Sequence, residues 1–122
     1  MYIIYEEYEN KKITYKEVLD NTVDYRGAIL DFNKYISLDQ NHKYKFVYLL
    51  RGDSRFSLKN YTGALEDFNI AIILNPKDYN AYYKRGFVNY FHLNNKKGGC
   101  SDWSKAGELG MKEAYEMINR NC

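Results

Sequence analysis

The feature of this 122-residue chain that most restricts its possible folds is an internal repeat with a period near 34 residues. The segments 27–33, 63–69 and 98–104 (GAILDFN, GALEDFN and GGCSDWS) align at steps of 36 and 35 residues. An Arg-Gly pair at 51–52 returns at 85–86, 34 residues later. Repeats of this length are units of two helices that cannot bury their apolar faces alone, so successive units stack. The period therefore predicts an all-α chain in which each helix pair packs on the next.

The central copy indicates why these residues favour two facing helices. Apolar residues recur at helical spacing on both sides of a break at 60–63. Small residues stand where the helices would approach most closely, with Gly52 on the first helix and Ala64 and Ala71 on the second. Pro76 ends the second helix, because proline disfavours a helical residue before it.

The spacing of these residues resembles the signature of the tetratricopeptide-repeat (TPR) family. The matching positions of the central copy, which need no insertion, are Tyr48, Gly52, Tyr61, Ala64, Phe68, Ala71 and Pro76. The resemblance covers about residues 13–106, and it implies a right-handed α-α superhelix, the TPR solenoid, of three helix-turn-helix repeats. The segment 102–106, with Gly110 and Ala114, is locally similar to Sel1-like repeats, but steps of 34 to 36 residues fit TPR repeats better.

A single domain is expected to span residues 1–122, since a chain of this length buries about 65–70% of its unfolded surface as one unit. Its predicted units are an atypical repeat 1 at about 13–42, repeat 2 at 45–78, repeat 3 at 79–108 and a capping helix at 111–121. The predicted helices lie at about 14–21, 25–38, 45–57, 62–74, 79–92, 98–108 and 111–121. Repeat 1 is atypical because Tyr15 and Lys16 replace the Arg-Gly pair. Gly110 is predicted to end the helix before it in the left-handed conformation.

Charge and hydropathy narrow the class of protein. Lys and Arg number 18 against 16 Asp and Glu, and a net charge of +2 does not favour nucleic acid as a partner. Glu6, Glu7 and Glu9 interrupt the apolar opening, so no signal peptide is expected. No run reaches the roughly 18 apolar residues of a membrane span. A cytoplasmic protein without membrane contact is therefore expected. The fourteen tyrosines reflect either an AT-rich genome or rings that fill gaps and line a surface.

The sequence predicts neither a catalytic site nor a metal or cofactor. His42 and His92 lie 50 residues apart, without a Cys or carboxylate cluster at ligand spacing. Arg-Gly-Asp at 51–53 is expected inside a helix, where it cannot act as an adhesion loop, and the glycosylation sequon at 60–62 is expected to be a turn. The chain is thus predicted not to be an enzyme. A regulatory subunit or a small enzyme without a recognisable site is the alternative of another class.

Two arginines recur with the repeat and are expected to form ion pairs. Arg51 and Arg85 on first helices can reach carboxylates on second helices, the candidates being Asp31, Asp67 and Asp102. Half-buried pairs of this kind would fix the register of the helices more than they add net stability.

Two cysteines stand near the ends of the last predicted helices. If these helices form an antiparallel hairpin that turns near 109–110, Cys100 and Cys122 differ by only about 4 Å along the axis, given a rise of about 1.5 Å per residue. One hypothesis is a disulfide that staples the last helix to its neighbour. The other is a buried Cys100 and a free terminal thiol, as expected in a reducing cytosol.

The TPR resemblance also implies where a partner would bind, because the first helix of each TPR pair lines a concave face that usually holds partner peptides. The implied groove residues are Phe46, Leu49, Asp53, Phe56 and Ser57 from repeat 2 and Asn80, Tyr83, Phe87, Tyr90 and Phe91 from repeat 3. The family's carboxylate clamp needs Lys, Asn and Arg, but Leu49, Asp53 and Phe87 occupy such places. Carboxylate-clamp activity is therefore not expected.

An aromatic surface with one acid suits an apolar or amphipathic segment of a partner protein, with a basic residue opposite Asp53. The predicted function is a non-catalytic protein-interaction module. Two alternatives stay open for the groove: Phe56 and Tyr90 are core between helices, and the other residues are covered by residues 1–12 or by a second copy. In the last case the chain is a homo-oligomerising structural protein.

Overall fold

A computed structural model describes residues 24–39, 41 and 44–122 of the chain. These residues form six α-helices and none of them lies in a strand. The helices are α1 (Tyr25–Leu38), α2 (Phe46–Ser57), α3 (Tyr61–Leu74), α4 (Tyr79–Phe91), α5 (Lys96–Glu108) and α6 (Glu113–Asn121). The predicted helix at about 14–21 and the predicted cover by residues 1–12 lie outside the described residues.

Each helix packs on its neighbours in the sequence, from α1 against α2 through to α5 against α6. Contacts between successive elements are typical of a helical repeat, in which units stack along one direction. The all-α fold with stacked helices, predicted from the period, is confirmed for the described part of the chain.

The helices α1, α3 and α5 begin in the same way. Asp24, Asn60 and Asn95 are their N-caps, and each side chain accepts a hydrogen bond from the backbone N–H of a glycine three residues later. The three N···O distances are 2.9, 3.0 and 2.9 Å. Such a cap satisfies one of the N–H groups that the first turn leaves unpaired. It also explains why α3 and α5 begin one and two residues before their predicted starts.

The ends of the helices follow local turn chemistry. Gly110 has a φ of 114°, so the predicted left-handed glycine after α5 is confirmed. Its N–H donates to Gly107 O and that of Met111 donates to Ala106 O, both at 3.0 Å, which is a Schellman motif. The break between α2 and α3 lies before Asn60, not across 60–63 as predicted, because Asn60 already caps α3. The other bounds shift by at most two residues: α2 begins at 46, α4 ends at 91 and α6 begins at 113.

In two helix pairs a glycine of the first helix lies against a buried ring of the second. A Cβ on Gly52 would lie 2.6 Å from Phe68 Cε1, and a Cβ on Gly86 would lie 2.9 Å from Trp103 Cδ1. The two rings are 1% and 0% exposed, so a side chain at either glycine would force a packed ring to move. The prediction that Gly52 stands at a close helix contact is confirmed.

Apolar side chains form three clusters along the stack. The first joins α1 to α2 through Ala28, Phe32, Val47 and Leu50. The second joins α2, α3 and α4 through Tyr48, Leu49, Ala64, Phe68, Ala71, Ala81 and Val88. The third contains Trp103 and Ala106 of α5 together with Ala114 of α6. Because all three members of this last cluster are 0% exposed, α6 covers the apolar end of the stack.

Candidate functional site

An aromatic groove lies between α2 and α4, above the buried ring of α3. It encloses about 270 Å³ and is lined by Asp53, Phe56, Phe68, Tyr83, Lys84 and Phe87. Four of these residues, Asp53, Phe56, Tyr83 and Phe87, belong to the set predicted for the concave face. The structure therefore brings the middle of the predicted set together around one pocket.

The rim of the aromatic groove carries an ion pair that the sequence did not predict. Lys84 Nζ lies 2.6 Å from Asp53 Oδ2 and 2.8 Å from Oδ1. The side chains of Lys84 and Asp53 are 28% and 16% exposed. A partner's basic residue was expected opposite Asp53, but Lys84 of the chain itself already occupies that position. The expectation fails because α2 and α4 stand side by side, which places residues 31 apart in sequence within bonding distance.

Aromatic rings continue from the groove toward the ends of α2 and α4. Phe56 meets the rings of Tyr61, Phe87 and His92 at centroid distances of 5.5, 6.0 and 5.4 Å, each edge to face. Tyr61 stacks on His92 at 3.9 Å with an angle of 10° between the rings. Sequence reasoning missed this contact because it assigned Tyr61 to the break before α3 and His92 to the end of the predicted helix 79–92. Only the fold brings the first residue of α3 against the residue that ends α4.

The other predicted groove residues do not line the pocket itself. Leu49 is 8% exposed and belongs to the core. Tyr90 packs against Trp103 at 5.2 Å and its hydroxyl donates to Asn121 O at 2.8 Å, so it joins α4 to α5 and α6. Phe46 contacts Tyr44 at 6.2 Å and is 37% exposed. Phe91 is 46% exposed beside Phe87 and extends the aromatic groove. Peptide binding by any of these residues stays a prediction.

Two arginines bridge successive helix pairs with the same geometry. Arg51 Nε and Nη2 donate to the carboxylate of Asp67, and its Nη1 donates to Asn33 Oδ1 at 2.8 Å. One repeat later, Arg85 Nε and Nη2 donate to Asp102 Oδ2 and Oδ1, and its Nη1 donates to Asn69 Oδ1 at 3.0 Å. We call each set an Arg-Asp-Asn bridge. The predicted pairing of the recurring arginines is confirmed, with Asp67 and Asp102 as the partners.

The second Arg-Asp-Asn bridge affects the pKa of its arginine. The hydrogen bond from Asp102 raises the pKa of the Arg85 guanidinium above its ordinary value, against the opposing effect of burial, and the negative charge of Asp102 adds to the increase. Arg85 is therefore a cation, as a guanidinium in a protein is in general. The first bridge joins α2 to α3 and to α1, and the second joins α4 to α5 and to α3.

The last helix is held by a covalent bond as well as by packing. Cys100 in α5 and Cys122 after α6 form a disulfide with an S–S distance of 2.06 Å and a Cα–Cα distance of 6.1 Å. The ring of Tyr115 lies against Gly107, where an added Cβ would be 2.6 Å from Tyr115 Cζ. The disulfide and the ring keep α6 against α5.

None of the six described helices combines the length and the hydropathy that a membrane span requires.

A family model described as TPR repeat matches residues 52–91, which run from Gly52 in α2 to the end of α4. All the residues that line the aromatic groove fall inside this stretch. The predicted TPR repeat is thereby confirmed over residues 52–91. A comparison with curated protein sequences gave no match.

Proposed function

We propose that this chain, whose residues 52–91 form a tetratricopeptide repeat, is a non-catalytic protein-interaction module that binds a peptide or helix of a partner in the aromatic groove. TPR repeats generally mediate protein–protein interaction, and the family is typically non-catalytic. The observation that carries the proposal is the pocket of about 270 Å³ that Phe56, Tyr83 and Phe87 form inside the matched repeat.

The size and chemistry of the aromatic groove favour a peptide as the ligand. Sites for small molecules usually enclose about 300–1,000 Å³. A pocket of about 270 Å³ is better suited to one or two side chains of a peptide. Half-buried rings favour an apolar or aromatic side chain, and the neighbouring Phe91, 46% exposed, offers a second apolar contact. The Asp53–Lys84 pair at the rim carries both a donor and an acceptor, which suits the polar main chain of the same peptide.

Selection of peptides from a display library on the purified protein tests this proposal. The recovered peptides are titrated by fluorescence polarisation against the native protein and Phe87→Ala. We expect Phe87→Ala to weaken binding at least about tenfold, as truncation of a central aromatic contact does. Ile73→Ala is the matched control, because Ile73 is 75% exposed on α3 and does not line the groove. Equal affinity of both variants for every selected peptide would contradict the proposal, provided that their circular dichroism spectra match that of the native protein.

The second candidate function is self-association through the same aromatic face. The 46% exposed ring of Phe91 beside Phe87 favours it, because a second copy would remove this apolar area from water. Light scattering over a range of concentrations distinguishes the two functions. A mass that rises from monomer to dimer in the native protein but not in Phe87→Ala supports self-association, and a constant monomer mass excludes it.

The compartment in which the protein works is the subject of two opposing indications. A cytoplasmic location was expected, whereas the disulfide between Cys100 and Cys122 supports an oxidising compartment, since disulfides are rare in cytosolic proteins. Thiol titration of the unfolded, non-reduced protein from its source cells decides between them. Two reactive thiols would support the cytoplasm, and none would support an oxidising compartment.

A further inference from the structure

A polar pocket lies on the side of α4 that faces away from the aromatic groove. It encloses about 380 Å³ and is lined by Leu65, Asn69, Arg85, Asn89, Asn95, Gly98, Ser101 and Asp102. Arg85 and Asn89 reach it from α4, whereas Tyr83 and Phe87 line the groove. Successive residues are about 100° apart around a helix, so the two sets lie on opposite sides of α4.

In the preceding helix pair, α2 with α3, an arginine side chain fills the position that is equivalent to the polar pocket. Because Arg51 and Arg85 are equivalent, the residue equivalent to Asn89 is Arg55. Arg55 Nη1 donates to Asp67 Oδ2 at 3.1 Å and to Gly63 O at 3.4 Å. A second guanidinium therefore completes the hydrogen bonding of Asp67, beside the bond that Arg51 already makes.

In the next pair the same acceptors are present without that guanidinium. Gly98 and Asp102 are the equivalents of Gly63 and Asp67, and both line the polar pocket. The Asp67 side chain is 0% exposed beneath Arg55, whereas the Asp102 side chain is 9% exposed. The Asp102 carboxylate accepts two hydrogen bonds, both from Arg85, although a carboxylate offers about four acceptor positions.

The side-chain amide of Asn89 also points to a ligand. Its side chain lines the polar pocket, and the residue is 8% exposed. Within the described part of the chain it has no hydrogen-bond partner for its amide. The amide is accessible from the pocket, so a polar group that enters from outside can bond to it.

We propose that the polar pocket binds a guanidinium group, and specifically an arginine side chain of a partner protein. The bound guanidinium takes the place that Arg55 holds one repeat earlier and donates to Asp102 Oδ2, to the carbonyl of Gly98 and to the amide oxygen of Asn89. The bound guanidinium, Arg85 and Asp102 together would carry the same net charge as Arg51, Asp67 and Arg55 carry one repeat earlier. A lysine ammonium is a poorer ligand, since it lacks the planar arrangement of donors.

The proposal is tested by ¹⁵N NMR titration of the whole chain with Nα-acetyl-arginine amide, which resembles an arginine within a polypeptide. We expect saturable shifts of the Asn89 side-chain amide and of the Gly98 N–H at millimolar concentrations. Free arginine separates the two sources of the group, because equal or tighter binding of the free amino acid would overturn the assignment to a protein side chain. The same shifts with Nα-acetyl-lysine amide, or no saturable shift, would overturn the guanidinium site.

Two variants in the polar pocket make the test independent of any one substitution. Asn89→Arg supplies the guanidinium from within the chain, so we expect it to abolish the titration and to raise the midpoint of thermal unfolding by a few degrees. Ser101→Glu, at an exposed position equivalent to Glu66, adds a carboxylate at the edge of the pocket and is expected to tighten binding several-fold. Unchanged binding in both variants would overturn the proposal, and Ser101→Glu decides alone if Asn89→Arg does not fold.

Discussion

The central helix pair, α2 with α3, and the following pair, α4 with α5, share the same structural contacts and differ in the side chains beside those contacts. Both contain an Asn N-cap, a glycine against a buried ring and an Arg-Asp-Asn bridge. In the central pair Arg55 covers the acid of the bridge, whereas the following pair has Asn89 and an open polar pocket. A few repeated residues thus suffice to build each unit, and the positions between them are free to carry binding sites.

The two pairs also differ in their neighbours. The central pair lies between α1 and the following pair, so helices pack against it on either side. On its far side the following pair packs, within the described part of the chain, against the short helix α6, and a disulfide adds to that contact. Ser104 stands where the earlier copies have Asn33 and Asn69, so the series of Arg-Asn contacts ends at this pair.

The largest difference between the pairs is expected on removal of the bridging charge. Asp67→Asn leaves Arg51 and Arg55 without their carboxylate at a site where the Asp67 side chain is 0% exposed. We expect it to lower the free energy of unfolding by about 3–5 kcal/mol. Asp102→Asn affects one arginine at a more exposed site and is expected to cost about half as much. Urea denaturation of both variants measures the difference, and equal losses would show that the two bridges are energetically equivalent.

Reduction of the disulfide is expected to have the next largest effect, confined to the following pair. Opening a bond between residues 22 apart is expected to lower the free energy of unfolding by about 3 kcal/mol. Urea denaturation with and without a dithiol reductant measures this loss. The double variant Cys100→Ser, Cys122→Ser is the control and should not respond to the reductant. If reduction leaves the native protein unchanged, the packing of Tyr115 and Ala114 holds α6 without the bond.

The smallest effect is expected when the central pair is made to resemble its neighbour. Arg55→Asn removes the bond to Asp67 and opens a pocket like that beside Asn89. A hydrogen bond to a charged group at a half-buried site is worth about 1 kcal/mol here, since Arg55 is 21% exposed. Thermal unfolding measures this loss. The variant should also gain a second arginine-binding site, seen as a shift of the Gly63 N–H on titration, and no such shift would show that the two pairs are not interchangeable.

The sequence predicted the helices well because their limits are set by nearby residues. Asn60 and Asn95 cap α3 and α5 through glycines three residues away, and Gly110 ends α5 through its own backbone. The spacing of apolar residues predicted the helices between these limits, and α1 agrees with its prediction at both ends. The remaining differences are one or two residues at one end of each helix from α2 to α6.

The groove was predicted less completely because it depends on how the helices are rotated against each other. Leu49 was assigned to the surface but faces the core, and Tyr90 faces Trp103. The partner of Asp53 proved to be Lys84, on a different helix. A rotation of one helix by one residue position, about 100°, moves a side chain from groove to core, and the sequence pattern alone does not resolve it.

By itself the sequence determined that the chain forms stacked helix pairs on a period near 34 residues, because caps, small residues and apolar spacing act over a few residues or between adjacent helices. Only the tertiary structure decided which of three acids each arginine reaches, that Lys84 pairs with Asp53, and that Asn89 lies beside Gly98 and Asp102 in one pocket. These contacts join residues from different helices, and their distances depend on the final packing of rings such as Phe68 and Trp103.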